Sequence, residues 1–223
     1  MSHSIAIDGP AGAGKSTIAK LLAKKMNYIY VDTGAMYRAM AVHFSKNGIN
    51  PDDEAAIDNA VKDVDINIVY SEGVQQVILN GENVTGLLRT EETGRMASKT
   101  SKYSSVRTKL VDLQRELARK TDVIMDGRDI GTVVLPDAFC KIYLTASSDA
   151  RAQRRYNELV EKGEKCNYDE IKADIESRDY QDMHREISPL KQADDAVLVD
   201  TSDMNIEQVV DELTKIINAK VNA

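Results

Sequence analysis

A glycine-rich run near the N-terminus has the residue types of a loop that binds phosphate groups. The run consists of Gly9, Pro10, Ala11, Gly12, Ala13, Gly14, Lys15, Ser16 and Thr17. It fits the pattern G-x-x-x-x-G-K-[ST] at every position, in which the glycines let backbone N–H groups converge on phosphate oxygens. The lysine can reach the β- and γ-phosphates of a nucleotide, and the hydroxyl of Ser16 can bind Mg²⁺. A turn without chemistry would not need a lysine and a serine after its last glycine, so we expect ATP and Mg²⁺ to bind here.

A second candidate metal ligand follows an apolar run in the middle of the chain. Residues 123–125 are valine, isoleucine and methionine, which predict a buried strand that ends in the carboxylate of Asp126. An aspartate at the end of such a strand commonly holds Mg²⁺ or its waters in nucleotide-binding proteins. Ser16 and Asp126 are therefore the predicted metal ligands.

The arginines of the C-terminal half are candidates for phosphate binding. From residue 123 onward they are Arg128, Arg151, Arg154, Arg155, Arg178 and Arg185. A solvated helix face is the usual interpretation of such charge. Guanidinium groups, however, bind phosphate in a bidentate manner, and an acidic protein that places them beside a phosphate loop favours that use. We expect Arg38, Arg128 and Arg185 to be free to hold a second anion.

Alternating strands and helices predict a parallel sheet that brings these groups to one edge. Residues 4–8 and 28–31 are short apolar runs, and apolar residues at helical spacing follow each of them. This order is typical of a parallel sheet with right-handed crossovers, whose ligands collect at the carboxyl ends of the strands. Asp32 and Thr33 lie at such an end, where they either bind substrate or simply cap the next helix.

Residues 62–100 predict an insertion in this fold. Apolar and polar residues alternate from Ile66 to Tyr70, and Asn80-Gly81 between strand-like runs is a strong hairpin signal. Helices are expected at residues 91–103, 106–120 and 206–217. We predict a single domain over residues 1–223, of class α/β: a P-loop NTPase-type parallel sheet flanked by helices, with a small antiparallel β insertion and an arginine-rich lid at residues 151–168.

Composition limits the partners and the compartment. The sequence has 29 Lys and Arg against 36 Asp and Glu, a net charge of −7, which argues against nucleic acid or an anionic membrane as partner. No stretch approaches the ~18 apolar residues of a membrane span, and no secretory signal is visible. Cys140 and Cys166 form no CxxC pair and are typical of reduced thiols. We expect a cytoplasmic protein.

Four motifs, taken in order, resemble the bacterial cytidylate kinase family. They are Gly9–Ser16, residues 32–38 (DTGAMYR), residues 126–132 (DGRDIGT) and residues 178–185 (RDxxDxxR). The resemblance covers essentially the whole chain, including the sheet-like insertion. It implies an enzyme that transfers the γ-phosphoryl group of ATP to CMP or dCMP, giving CDP or dCDP and ADP. It also implies a monomer whose partners are these small molecules.

The resemblance further implies roles for individual side chains. The family's arginines that bind the phosphate of CMP correspond to Arg38, Arg128 and Arg185. Its residues that recognise cytosine correspond to Ser98, Arg107 and Asp129, with Tyr37 near the ring. Its residues at the ribose correspond to Arg178 and Asp182, although these two could also form only a surface ion pair. Asp32 and Thr33 are the remaining expected substrate contacts. The expected catalytic residues are Lys15, Asp126, Arg128, Arg154 and Arg155.

Two other classes of function remain open from the residues alone. A P-loop kinase that phosphorylates a hydroxyl group, similar to shikimate or dephospho-coenzyme A kinase, needs a carboxylate base, which Asp32 could supply. The arginines expected on the acceptor side fit an anionic acceptor better. The other class is a nucleotide-binding switch, but the N-K-x-D pattern of guanine readers is absent from the sequence.

Overall fold

The computed structural model describes residues 3–221, and the chain in it forms two compact units. The first unit contains the chain up to Tyr30 and again from Thr121 onward, and the second unit runs from Val31 to Lys120. The single domain predicted over 1–223 includes residues 1, 2, 222 and 223, which lie outside the described residues.

The strands and helices alternate along most of the chain. The strands are β1 (Ser4–Asp8), β2 (Ile29–Asp32), β3 (Ile66–Ser71), β4 (Val74–Leu79), β5 (Glu82–Asn83), β6 (Val123–Gly127), β7 (Cys140–Thr145) and β8 (Val197–Asp200). The helices are α1 (Lys15–Met26), α2 (Thr33–Lys46), α3 (Glu54–Ala60), α4 (Glu91–Thr100), α5 (Ser104–Lys120), α6 (Ser148–Glu161), α7 (Tyr168–His184) and α8 (Ile206–Val221). Among the residues that the structure describes, no helix is long and apolar enough to cross a membrane.

The first unit contains four strands of a five-stranded sheet and the first two residues of its edge strand β2. The strand order of this sheet is β2-β6-β1-β7-β8, and β1 pairs in parallel with both β6 and β7. The central strand is buried at every position after Ser4, as expected for a parallel strand covered on both faces. The predicted parallel sheet is therefore confirmed. The order places the ends of β1 and β6, at Asp8 and Gly127, side by side.

Helices α1 and α8 supply apolar faces to this sheet. Ile18 and Leu22 of α1 and Leu213 and Ile217 of α8 belong to the same buried cluster as Ile142 of β7. Residues spaced three or four apart share a helix face, so each helix buries one stripe. The predicted inward face of the C-terminal helix is confirmed, and that helix continues beyond the predicted end at residue 217.

The second unit contains the small antiparallel sheet that the sequence predicts. Its strand order is β3-β4-β5, and the predicted turn at Asn80-Gly81 joins β4 to β5, with Leu79 opposite Glu82. A second turn at Glu72-Gly73 joins β3 to β4 and was not predicted. All four turn residues have positive φ, as tight hairpins require. Glu72 lacks the turn preference of asparagine, so only Gly73 gave a signal.

Candidate active site

The P-loop, residues 9–17, leaves β1 and enters α1 in the first unit. Gly9 has a φ of +148°, and a Cβ there would lie 1.9 Å from the backbone oxygen of Leu144, so the close approach of β7 requires glycine. Gly14 precedes the helix with a φ of +86°, and no side chain caps the N-terminus of α1. The first backbone N–H groups of a helix attract anions when no side chain satisfies them. The geometry supports phosphate binding at this loop.

Lys15 is folded back onto the loop. Its Nζ donates to the backbone oxygens of Gly9 and Pro10, each at 2.7 Å. Burial, together with the positive charge of Arg128, lowers the pKa of the Lys15 ammonium to about 7. A buried ammonium that holds carbonyl oxygens can exchange them for phosphate oxygens, which carry full negative charge.

The two predicted metal ligands lie together in the first unit. Ser16 Oγ donates to Asp126 Oδ2 at 2.9 Å, and the hydroxyl of Tyr30 donates to Asp126 Oδ1 at 2.8 Å. Hydroxyl and carboxylate oxygens suit Mg²⁺, which usually takes one or two protein ligands and completes its shell with water and substrate phosphates. The donor set of Ser16 and Asp126 therefore fits Mg²⁺. Tyr30, which the sequence analysis missed, orients the carboxylate.

Arg128 and Arg185 meet at one carboxylate. Arg128 Nε donates to Asp182 Oδ2 at 2.8 Å, and Arg185 Nη1 lies 3.6 Å from Asp182 Oδ1. Arg185 Nη2 also lies 3.6 Å from Asp129 Oδ1. The expectation that both arginines are free is wrong, because acidic side chains of the same unit already hold them. We call Arg128, Asp129, Asp182 and Arg185 the arginine cluster.

The three arginines of α6 all have protein partners. Arg151 is buried and binds Ala11, Ala146 and Asp179. Arg154 donates to the backbone oxygen and the hydroxyl of Thr201, and Arg155 pairs with Glu158 at 2.8 Å. Phosphate contacts from Arg154 or Arg155 would need these bonds to break.

Arg178 and Asp182 of α7 do not pair with each other. Arg178 Nε lies 3.1 Å from Asp174, one turn earlier on the helix, and Asp182 binds the two arginines named above. The alternative that these two residues form only a surface ion pair with each other is wrong, because each has a different partner in the fold. Their spacing on one helix face nevertheless leaves both available to one ligand.

In the second unit, Asp32 caps a helix. Its Oδ1 accepts from the backbone N–H of Ala35 at 2.9 Å, so the capping interpretation is confirmed. A Cβ on Gly34 would lie 3.2 Å from both Asp32 Oδ1 and Arg38 Nη1, so the carboxylate and the guanidinium both lie close to that glycine. Gln75 of β4 accepts from the Asp32 backbone N–H at 2.8 Å, and no sequence motif had indicated it. Thr33 is buried.

Tyr37 and Arg107 form a second cluster within that unit. The Arg107 guanidinium carbon lies 5.5 Å from the centre of the Tyr37 ring, and Arg107 Nη1 donates to the backbone oxygen of Ser101 at 3.1 Å. Arg107 is only 3% exposed. Ser98 is half-buried on α4. A planar guanidinium held against an aromatic ring is pre-organised for polar recognition of a base edge.

Asp8 is a buried acid that the sequence analysis did not single out. It is 5% exposed, and its two oxygens accept from the backbone N–H groups of Ile130 and Gly131 at 2.8 and 2.7 Å. Burial raises the pKa of Asp8 from 3.8 to about 6, although these hydrogen bonds act in the opposite direction. The carboxylate thus fixes the chain that follows Arg128 and Asp129. Its position at the end of a predicted strand, beside the P-loop, could have identified it as a candidate site residue.

Comparisons with known proteins identify the family of this chain. A family model described as cytidylate kinase matches residues 5–219. A cytidylate kinase from Leuconostoc mesenteroides is 51% identical over 221 residues, 99% of each chain, and one from Carboxydothermus hydrogenoformans is 49% identical over 216 residues, 97% of each. A solved shikimate kinase from Bacteroides thetaiotaomicron has a TM-score of 0.50 at 13% identity, over 97% of this chain and 98% of that one, a likeness of fold alone. The chain belongs to the cytidylate kinase family.

Proposed function

We propose that the protein transfers the γ-phosphoryl group of ATP to CMP or dCMP, giving ADP and CDP or dCDP. The observation that carries this proposal is the arginine cluster, which lies in the same unit as the P-loop and gathers two guanidinium groups, Arg128 and Arg185, around Asp182. A donor loop and a separate pair of arginines are what transfer between two phosphorylated nucleotides needs. Full-length relatives named cytidylate kinase, near half identical to this chain, add support.

The reaction needs charge neutralisation more than covalent help. A nucleoside monophosphate is already largely ionised at neutral pH, its second pKa being about 6, so no general base is required. The barrier comes from repulsion between two anions and from charge that develops on the transferred group. Lys15 moves from the carbonyls of Gly9 and Pro10 onto the β- and γ-phosphates. Arg154 and Arg155, in the proposed lid at residues 151–168, add charge when their present bonds break.

The donor site holds ATP with the P-loop backbone. Ser16 and Asp126 would hold Mg²⁺, which when bound supplies positive charge at the phosphate oxygens. Tyr30 keeps the Asp126 carboxylate oriented through its 2.8 Å hydrogen bond. The chain's own contribution is to place these oxygens beside Lys15, where the transferred group must sit.

The acceptor site holds CMP by phosphate, sugar and base. The proposed ligands of the phosphate are Arg38, Arg128 and Arg185. The phosphate oxygens replace the Asp182 carboxylate as the partner of Arg128 and Arg185. Asp182, once the arginines have moved to the phosphate, accepts from the ribose hydroxyls, and Arg178 donates to the oxygen atoms of the ribose. The proposed contacts to the base are Tyr37, Ser98, Arg107 and Asp129. A carboxylate accepts from the exocyclic amine of cytosine and repels the carbonyl of uracil, so the acceptor site prefers CMP to UMP.

We also infer that the enzyme acts as a monomer in the cytoplasm. Its two cysteines are free thiols, with Cys140 buried, which agrees with a reducing compartment. The proposed partners are small molecules, without nucleic acid or membrane.

The test is ADP formation from ATP across the nucleoside monophosphates. We expect turnover with CMP and dCMP, much less with UMP, and none in EDTA. Lys15→Ala should lower kcat by about 10²- to 10³-fold or more, and Lys24→Ala, an exposed lysine of the same helix, should not. ADP formation that is independent of CMP, or that requires a hydroxyl acceptor such as shikimate, would overturn the proposal.

A further inference from the structure

One buried arginine joins three separate parts of the first unit. Arg151 Nε donates to the backbone oxygen of Ala146 at 2.9 Å, at the end of β7. Its Nη1 donates to the backbone oxygen of Ala11, in the P-loop, at 2.8 Å. Its Nη2 lies 2.6 Å from Asp179 Oδ2 of α7. The side chains of Arg151 and Asp179 are 5% and 13% exposed, so this contact is shielded from water.

We propose that Arg151 and Asp179 are positioning residues that couple the P-loop to helix α7, so that occupation of the donor loop sets the arginine cluster for the acceptor. This inference rests on the proposed function. It gives Arg151 a role different from a phosphate contact in the lid, and it gives Asp179 a role that no motif had assigned. We call the pair the α7 clamp.

The path from the clamp to the arginine cluster is short. Asp179 and Asp182 are three residues apart on α7, so they lie on the same face of one rigid element. Asp182 holds Arg128 at 2.8 Å and Arg185 at 3.6 Å. A shift of α7 that moves Asp179 therefore also moves the carboxylate between those two arginines.

The P-loop end of the clamp is equally direct. A Cβ on Gly12 would lie 3.5 Å from the Cβ of Arg151, so the loop backbone packs against the stem of this arginine. Ala11 offers its carbonyl to the same side chain. When phosphate draws the N–H groups of the loop toward itself, the peptide that carries this carbonyl must reorient, and the guanidinium follows.

The chemistry of the clamp requires an arginine. A guanidinium presents its donors in a planar fork and can reach three partners at once, whereas a lysine ammonium on a flexible stem cannot match that arrangement. Asp179 Oδ1 is buried and accepts no hydrogen bond within residues 3–221, so the close contact of this carboxylate with a cation is the one between Oδ2 and Arg151. Loss of either partner alone should therefore break the same link.

The clamp is tested by Arg151→Lys, Asp179→Asn and the double variant, which keep side-chain size. We expect each single variant to lower kcat with CMP at least tenfold when ATP and CMP are both saturating. The double variant should be no worse than either single one, because both remove one interaction. Asp149→Asn is the control, since Asp149 pairs with Lys172 at 2.7 Å and joins the same two helices at the surface.

Titration calorimetry measures the coupling between nucleotide binding at the two sites, a quantity that a purely structural role of the clamp would leave unchanged. In the wild type, a non-hydrolysable ATP analogue should change the Kd of CMP by fivefold or more, a typical coupling between sites. In folded Asp179→Asn and Arg151→Lys proteins that factor should fall toward one, and in Asp149→Asn it should persist. No coupling in the wild type, or equal coupling in all proteins, overturns the clamp.

Kinetics separate the clamp from the proposed function. A wild type that does not turn over CMP would contradict the function itself. An active wild type with silent Asp179→Asn would contradict only the clamp, and so would an Arg151→Lys variant whose defect is confined to the KM for ATP, as expected of a direct phosphate ligand.

Discussion

The buried carboxylate of Asp8 should make the stability of the protein depend on pH in a defined direction. Burial raises its pKa from 3.8 to about 6, and the negative charge of Asp129 acts in the same direction. Between these two values the folded protein binds a proton more tightly than the unfolded chain. The contribution of Asp8 to stability is therefore complete below pH 3.8 and is lost as the pH rises through 6. A rise in pKa of about two units corresponds to about 3 kcal/mol.

Asp8→Asn removes this titration while it keeps the shape of the side chain. We would measure urea unfolding of the wild type and the variant from pH 4 to pH 7 without nucleotide. Subtraction of the two unfolding free energies cancels the contributions that the other titrating groups make to both proteins. The wild type minus variant difference should fall by up to about 3 kcal/mol across this range. A constant difference would show that burial does not raise the pKa, and a rising difference would show that the bonds from Ile130 and Gly131 dominate.

Two further predictions concern the P-loop and one concerns a helix. Gly9→Ala should destabilise the protein by about 3 kcal/mol or more, because its Cβ would meet Leu144 at 1.9 Å; a melting temperature within 2 °C of the wild type would contradict this. Gly94→Ala meets nothing within 4 Å on α4 and should stabilise by about 0.5–1 kcal/mol, as urea unfolding would show. The lowered pKa of Lys15 means that between pH 7 and pH 10.5 the folded protein binds fewer protons than the unfolded chain, so the wild type gains stability as the pH rises. Lys15→Met should lose this gain. Parallel plots of unfolding free energy against pH for the two proteins would refute the prediction.

Local patterns predicted the parts of this protein that depend on neighbours in sequence. The P-loop, the buried strand at Asp8 and the turn at Asn80-Gly81 each combine a few adjacent residues with one backbone geometry. The turn at Glu72-Gly73 was missed because glutamate rarely adopts a positive φ, so the sequence offered half of the usual signal.

Contacts between distant residues could not be predicted. The bond from Arg128 to Asp182 spans 54 residues, that from Gly131 to Asp8 spans 123, and that from Arg151 to Ala11 spans 140. Motifs placed Arg128 and Asp182 among the candidates, and the concentration of arginines after residue 123 added Arg151. Residue type alone does not say whether an arginine faces a phosphate or a carboxylate. That choice depends on which elements the fold packs together.

The central claim is that the arginine cluster binds the phosphate of the acceptor, and steady-state kinetics of Arg128→Ala test it most directly. We would measure kcat/KM for CMP, dCMP and UMP at saturating ATP and Mg²⁺, with Arg119→Ala, an exposed arginine, as the control. Loss of one pre-organised donor should lower kcat/KM by about 10²- to 10³-fold, by the same factor for all three acceptors, because the phosphate carries no information about the base. A loss below threefold, or one that differs tenfold between CMP and UMP, would contradict the claim.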